Sequence, residues 1–102
     1  MSNSSTTKKL RQVPGGILHV GIDLGLEKNW AVMINERAER VDRFSFSSDR
    51  GSYNYFLERM EKVCQKQQAA GIQVAMEPTN YFWKLLAQEL EGQEMPYHLV
   101  NA

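Results

Sequence analysis

The sequence contains one cysteine, Cys64, no excess of charge of either sign and no long apolar run. A lone cysteine excludes an internal disulfide. Twelve basic side chains balance twelve acidic ones in 102 residues, so bulk charge argues neither for a nucleic-acid-binding module nor for a membrane-surface protein. No stretch approaches the roughly 20 apolar residues that cross a bilayer as a helix. No charged-then-apolar leader opens the chain, and with the cysteine usage this sets the expectation of a reducing, cytoplasmic setting. A chain of this length is expected to make one small domain around one core.

What is present divides in two. Residues 1–16, MSNSSTTKKLRQVPGG, are rich in Ser, Thr and Asn and close on a Pro-Gly-Gly breaker. Such a composition buries too little apolar surface to order itself, so a disordered polar and basic tail is expected. Its cations Lys8, Lys9 and Arg11 give it an alternative use as an arm on phosphates. Residues 17–102 are expected to hold the domain.

There the pattern turns to short β-like runs. ILHVGIDLG (residues 17–25), NWAVMINE (29–36) and RVDRFSFS (40–47) are rich in β-branched and aromatic residues and separated by short breaks. They read as a three-strand meander. The third run alternates, with Val41, Arg43 and Ser45 on one face against Asp42, Phe44 and Phe46 on the other, as suits a half-exposed edge strand.

A helix follows. Ser48 or Asp49 is a candidate N-cap, and Tyr53, Phe56, Leu57, Met60, Val63 and Cys64 recur at helical spacing up to Gly71. Cys64, at the apolar edge, reads as a small buried hydrophobe rather than a reactive thiol. IQVAMEP (72–78) reads as a fourth strand stopped by proline. Thr79 or Asn80 then caps a second helix bearing Phe82, Leu85, Leu86 and Leu90 that ends near Gly92, and PYHLVN supplies a fifth strand. The order βββαβαβ predicts an α/β fold, a mixed five-stranded sheet with helices packed on it. It is similar to the ribonuclease H-like fold, in which the first and fourth strands form the central pair.

Within HVGIDLGLEKNW, Asp23 interrupts an apolar run, where a carboxylate is costly unless paired, hydrogen-bonded or bound to a metal. Period-two alternation puts it on one face with His19 and Gly21, and Val20, Ile22 and Leu24 on the other. On the fourth strand Glu77 shares a face with Gln73 and Ala75, opposite Ile72, Val74 and Met76. If these strands are neighbours, the two acids converge over small residues near the carboxyl ends of parallel strands, where α/β proteins bind ligands. Two carboxylates placed so repel unless a cation joins them. Hard oxygen donors suit Mg²⁺ or Mn²⁺ and displacement at phosphorus. The plainer alternatives are a strand-end turn former at Asp23 and a helix-entry carboxylate at Glu77.

The stretches HVGIDLGLEKNWAVMI, DRFSFSSDRGSYNYFLERM and above all AMEPTNYFWKLLAQELEGQEMPYHLVNA resemble the amino-terminal RuvC-like domain of the DEDD transposases of bacterial insertion sequences. These are the serine-assisted, bridge-RNA-guided recombinases of the insertion sequence 110 family. The resemblance runs from about Leu18 to the last residue, and MEPTNYFW leading through a helix to HLVNA is its most specific part. It implies a RuvC-like nuclease fold in which Asp23 matches the first acid of the metal site and Glu77 the second, both catalytic and metal-binding. It further implies Mg²⁺ or Mn²⁺ as cofactor, DNA and a guide (bridge) RNA as partners, and a homo-oligomer of the full-length protein. The third and fourth acids and the serine domain of that family have no counterpart in this sequence, and Ala102 stands where the family often has proline. The chain therefore reads as an amino-terminal fragment, expected to be inactive alone.

Other residues receive plainer readings. His19 and His98 are expected to be packed rather than ligating, since a hard-cation site prefers oxygen. Tyr81, Phe82 and Trp83 could stack on bases but sit where an amphipathic helix puts core and rim. Lys28 and Lys84 are expected on the surface, with a backbone phosphate as the alternative. Two other functions stay open: a non-catalytic fragment that pairs with full-length transposase or nucleic acid, and an ATPase of the actin and Hsp70 type. The second is disfavoured by LEKN in the first hairpin, where Glu27 would repel a phosphate.

Overall fold

The computed structural model describes residues 16–77 and 82–100. The expected tail thus lies outside the described residues but for Gly16, as do the candidate caps Thr79 and Asn80. The chain runs β1 (Ile17–Leu24), β2 (Asn29–Ile34), β3 (Arg40–Phe46), α1 (Arg50–Lys66), β4 (Gly71–Met76), α2 (Phe82–Gly92) and β5 (Tyr97–Leu99). The strands form one sheet in the order β3-β2-β1-β4-β5. β2 is antiparallel to both its neighbours, while β4 runs parallel to β1 and to β5. The mixed α/β sheet and its central β1–β4 pair are those expected from the order of elements.

One face of the sheet carries the core. In β1 burial alternates strictly, Leu18, Val20, Ile22 and Leu24 being buried while His19, Gly21 and Asp23 are exposed. Tyr53, Phe56 and Met60 of α1 and Leu86 and Leu90 of α2 join the same apolar cluster as these strand residues. Phe56 is fully buried and stacks on Phe46 with ring centroids 4.5 Å apart. Cys64 is half-buried with its Sγ 3.6 Å from the Ala69 carbonyl, and burial pushes its thiol pKa up, so it behaves as the small hydrophobe expected.

Asp49, not Ser48, caps α1: its carboxylate accepts the Ser52 N–H at 2.8 Å. Ser48 instead accepts from the side-chain amide of Asn29, at 3.0 Å. That bond ties the start of β2 to the loop preceding α1. The end of α1 departs from expectation. The helix stops at Lys66, and Gln68 takes a left-handed φ of 56°. Ala69 N–H reaches back to the Cys64 carbonyl at 3.0 Å and Gln68 N–H to that of Gln65 at 3.1 Å, a Schellman ending made without glycine. Gly71, expected to close the helix, opens β4 instead.

A second departure lies in β3. Pairing passes from Met33 opposite Asp42 to Ile34 opposite Arg40, which leaves Val41 as an extra residue. Val41 packs against the helix-side core rather than joining Arg43 and Ser45 on the other face. Strict alternation fails there because the bulge inserts one residue into the period of two.

Candidate functional site

The face away from the helices carries the candidate site. The β1–β4 ladder ends at Ile22 opposite Met76, so the next residues in register are Asp23 and Glu77, at the carboxyl ends of two parallel strands. Across the sheet on the other side Asp23 stands opposite Trp30. Gly21 lies between Val32 and Ala75. Together with Arg43 and Val100 these residues line an open depression of about 500 Å³. Its floor is low because β1 and β4 place glycine and alanine there. A Cβ added to Gly21 would meet nothing within 4 Å, so a larger side chain would rise into the depression without disturbing the core. Val100 is held at the rim by its N–H to the Met76 carbonyl, at 2.8 Å.

Asp23 is exposed and Glu77 half-buried. That resolves the cost of a carboxylate in an apolar run: only one face of β1 is buried, and Asp23 belongs to the other. Among the described residues neither carboxylate has an ion pair or a hydrogen bond to its side chain. Nor does any group of three or more His, Cys, Asp and Glu side chains converge among them. The turn between β1 and β2 holds this geometry through Gly25, where a Cβ would fall 2.4 Å from the Lys28 carbonyl oxygen.

The remaining candidates lie apart from the acids. His19 is exposed near the opposite end of β1, between Ile34 and Gln73, and His98 is exposed on β5 opposite Ala75. Neither lines the depression. Lys28 is exposed in the β1–β2 turn beside Glu27, and Lys84 is exposed on α2 with its ammonium 5.9 Å above the Trp83 ring. Trp83 is half-buried against the core, as the plainer reading had it. Tyr81 lies outside the described residues.

Two lining residues were not singled out from the sequence. Trp30 projects over the depression, and the guanidinium of Arg43 lies 4.0 Å above its ring. Alternation placed Arg43 on this face, but only the β2–β3 register brings it beside Trp30, and through Trp30 beside Asp23. No helix among the described residues is long and apolar enough to cross a membrane.

Comparison with known proteins agrees with this arrangement. No curated protein is significantly similar to the sequence. Among solved structures, that of the foamy viral protease-reverse transcriptase dRH in complex with ds DNA is similar in fold. Its TM-score is 0.56, with 8% identity over 90% of this chain and 21% of that one. An Aquifex aeolicus PPX-GPPA enzyme gives a TM-score of 0.49 and 5% identity over 84% of this chain and 36% of its own. The chain thus spans well under half the length of either. The first likeness is one of fold, and with the β3-β2-β1-β4-β5 order it makes the fold ribonuclease H-like, consistent with a RuvC-like domain. Residues 20–102 match the IS110-type DEDD transposase family, described as a transposase. With more than half of its length inside that match, the chain belongs to the IS110 family of DEDD transposases.

Proposed function

We propose that the chain contributes two acids, Asp23 and Glu77, to the divalent-metal site of a transposase that cleaves and transfers DNA strands. The observation that carries this reading is the meeting of the two acids in adjacent register at the carboxyl ends of β1 and β4, over a floor of Gly21 and Ala75, inside the segment matched by the transposase family. The donors fit a hard cation. Both are carboxylate oxygens, and the lining of the depression holds no thiol or imidazole that would favour a softer ion. Bound there, Mg²⁺ or Mn²⁺ supplies charge that stabilises the attacking and leaving oxygens at a phosphodiester.

The chain's own residues do the rest. Asp23 and Glu77 offer oxygens from one side, and the low floor lets a DNA backbone approach them. Two acids fill only part of the shell of a hard cation, so water, phosphate oxygens and further acids of the intact transposase would complete it. Catalysis in this reading belongs to the intact transposase, where a guide (bridge) RNA and further copies of the protein are partners.

Manganese binding tests the reading directly. Titration of the 102-residue chain with Mn²⁺, followed by electron paramagnetic resonance of the free ion, is expected to show one weak site that Asp23→Asn or Glu77→Gln weakens tenfold or more. Binding that ignores both substitutions would overturn the assignment.

A further inference from the structure

We propose that Arg43, laid on Trp30 beside the acid pair, holds a phosphate of the DNA backbone and so positions the strand; this rests on the reading of the acids as a DNA-processing site. The guanidinium Cζ lies 4.0 Å from the centre of the Trp30 ring. A cation stacked on an indole is oriented by the ring's quadrupole, and its N–H donors at the edge of the plane stay available. Among the described residues the Arg43 guanidinium meets no carboxylate and donates no hydrogen bond.

That contrasts with Arg37 and Arg59. Arg37 is paired with Glu39 at 3.1 Å, and Arg59 makes two bonds of 2.8 Å to the Asp42 carboxylate. Of these three, Arg43 alone combines an exposed position, an orienting ring and unengaged donors at the depression.

Its placement favours a phosphate over another anion. Glu77 just past the end of β4, Asp23 on β1 and Trp30 on β2 follow one another across the face, and Arg43 reaches over Trp30 from β3. Two strand spacings separate β4 from β2, so the guanidinium lies on the order of 10 Å from the β4 end of the acid pair. A single carboxylate ligand at Arg43 would face Asp23 across the ring without compensation. A DNA strand carries a series of phosphates, so one can lie on the acids through a cation while a neighbour lies on Arg43. The planar fork of arginine suits two oxygens of such a group.

The test uses a short fluorescent DNA duplex and the full 102-residue chain, with anisotropy read across a salt series in EDTA and again in Mn²⁺. Each phosphate neutralised contributes about 0.9 to the slope of log K against log salt. Arg43→Gln is expected to weaken binding several-fold and to make the slope shallower by about that amount. Arg43→Lys keeps the slope, because its charge remains. Lys62→Gln, on α1 behind the sheet, leaves both unchanged. Far-ultraviolet circular dichroism melts confirm that each variant is folded.

A wild-type chain that binds no DNA, or an Arg43→Gln chain with an unaltered slope, would overturn the proposal. The two readings fail separately. A slope that depends on Arg43 together with Mn²⁺ binding indifferent to Asp23 removes the metal assignment alone. The reverse pattern removes Arg43 alone.

Discussion

Arg37, Arg43 and Arg59 carry the same charge, and their uses differ because of what stands within reach. Arg59 on α1 crosses to β3 and grips Asp42 with two nitrogens, while its guanidinium lies 4.5 Å over the Phe44 ring. The hydrogen bond from Arg59 holds the Asp42 carboxyl below the usual carboxylate range, and burial opposes it. The carboxyl therefore has a lower pKa folded than unfolded. Its contribution to stability is present above the unfolded value, about 3.9, and is lost as pH falls through the folded one. Solvent reaches part of this pair, so its worth is about 1 kcal/mol. Wild-type protein is expected to exceed Arg59→Gln in stability by that amount at pH 7, with the gap closing in denaturation series taken below about pH 4. A gap that persists at pH 2 would remove the pair as its cause. From the sequence Asp42 could be assigned to the Phe44 face, but a partner seventeen positions away could not be named.

At the scale of elements, both helices end on the same device: α2 ends at Gly92 as expected, α1 ends at Lys66 rather than at Gly71, and neither places a glycine at the left-handed position. After α1 the left-handed position belongs to Gln68, and after α2 to Glu94, with a φ of 55°. Met95 N–H returns to the Leu90 carbonyl at 2.8 Å, and the Met95 side chain packs against the core. The hydrogen bonds and the apolar contact hold a conformation that costs a side-chain-bearing residue about 1 kcal/mol. Gln68→Gly and Glu94→Gly are accordingly expected to stabilise the fold by about 0.5–1 kcal/mol each, read as a rise in the urea midpoint at constant slope. A fall in either midpoint would show that the replaced side chain contributes more than its strain costs. Gly71 and Gly92 drew attention in the sequence as the residues that ordinarily close helices. What the chain required was a left-handed conformation at a set distance from an apolar anchor, and that distance is set by packing.

For the molecule as a whole, as far as the described residues form it, packing is one-sided. Both helices cover the face that bears Leu18, Val20, Ile22 and Val74, and the opposite face bears the acids. Stability and the proposed chemistry are thereby separated across the thickness of the sheet. Phe56→Ala, which empties the space of a fully buried ring stacked on Phe46, is expected to cost about 3–5 kcal/mol. Asp23→Asn and Arg43→Gln, on the open face, are expected to shift stability by no more than about 0.5 kcal/mol. Chemical denaturation of the three variants side by side checks this. An Asp23→Asn chain destabilised as strongly as Phe56→Ala would mean that the carboxylate serves the fold.

The sequence by itself determined the order and kind of the elements, the buried face of β1 and β4, and the pairing of Asp23 with Glu77 as candidates. The elements and their faces rest on a period of two or 3.6 residues, a local property of the chain, whereas the pairing of the two acids rested on the likeness of the element order to the ribonuclease H-like fold and on the family resemblance. Cross-strand register is not local. It depends on where the bulge beside Val41 falls, on how the β1–β2 turn closes past Gly25, and on which helix end meets which strand. Only the tertiary structure therefore decided that Trp30 stands opposite Asp23, that Arg43 lies on Trp30 and that Arg59 is spent on Asp42. A side chain's face is set by its own neighbours in sequence, whereas its partners are set by the packing of the whole sheet.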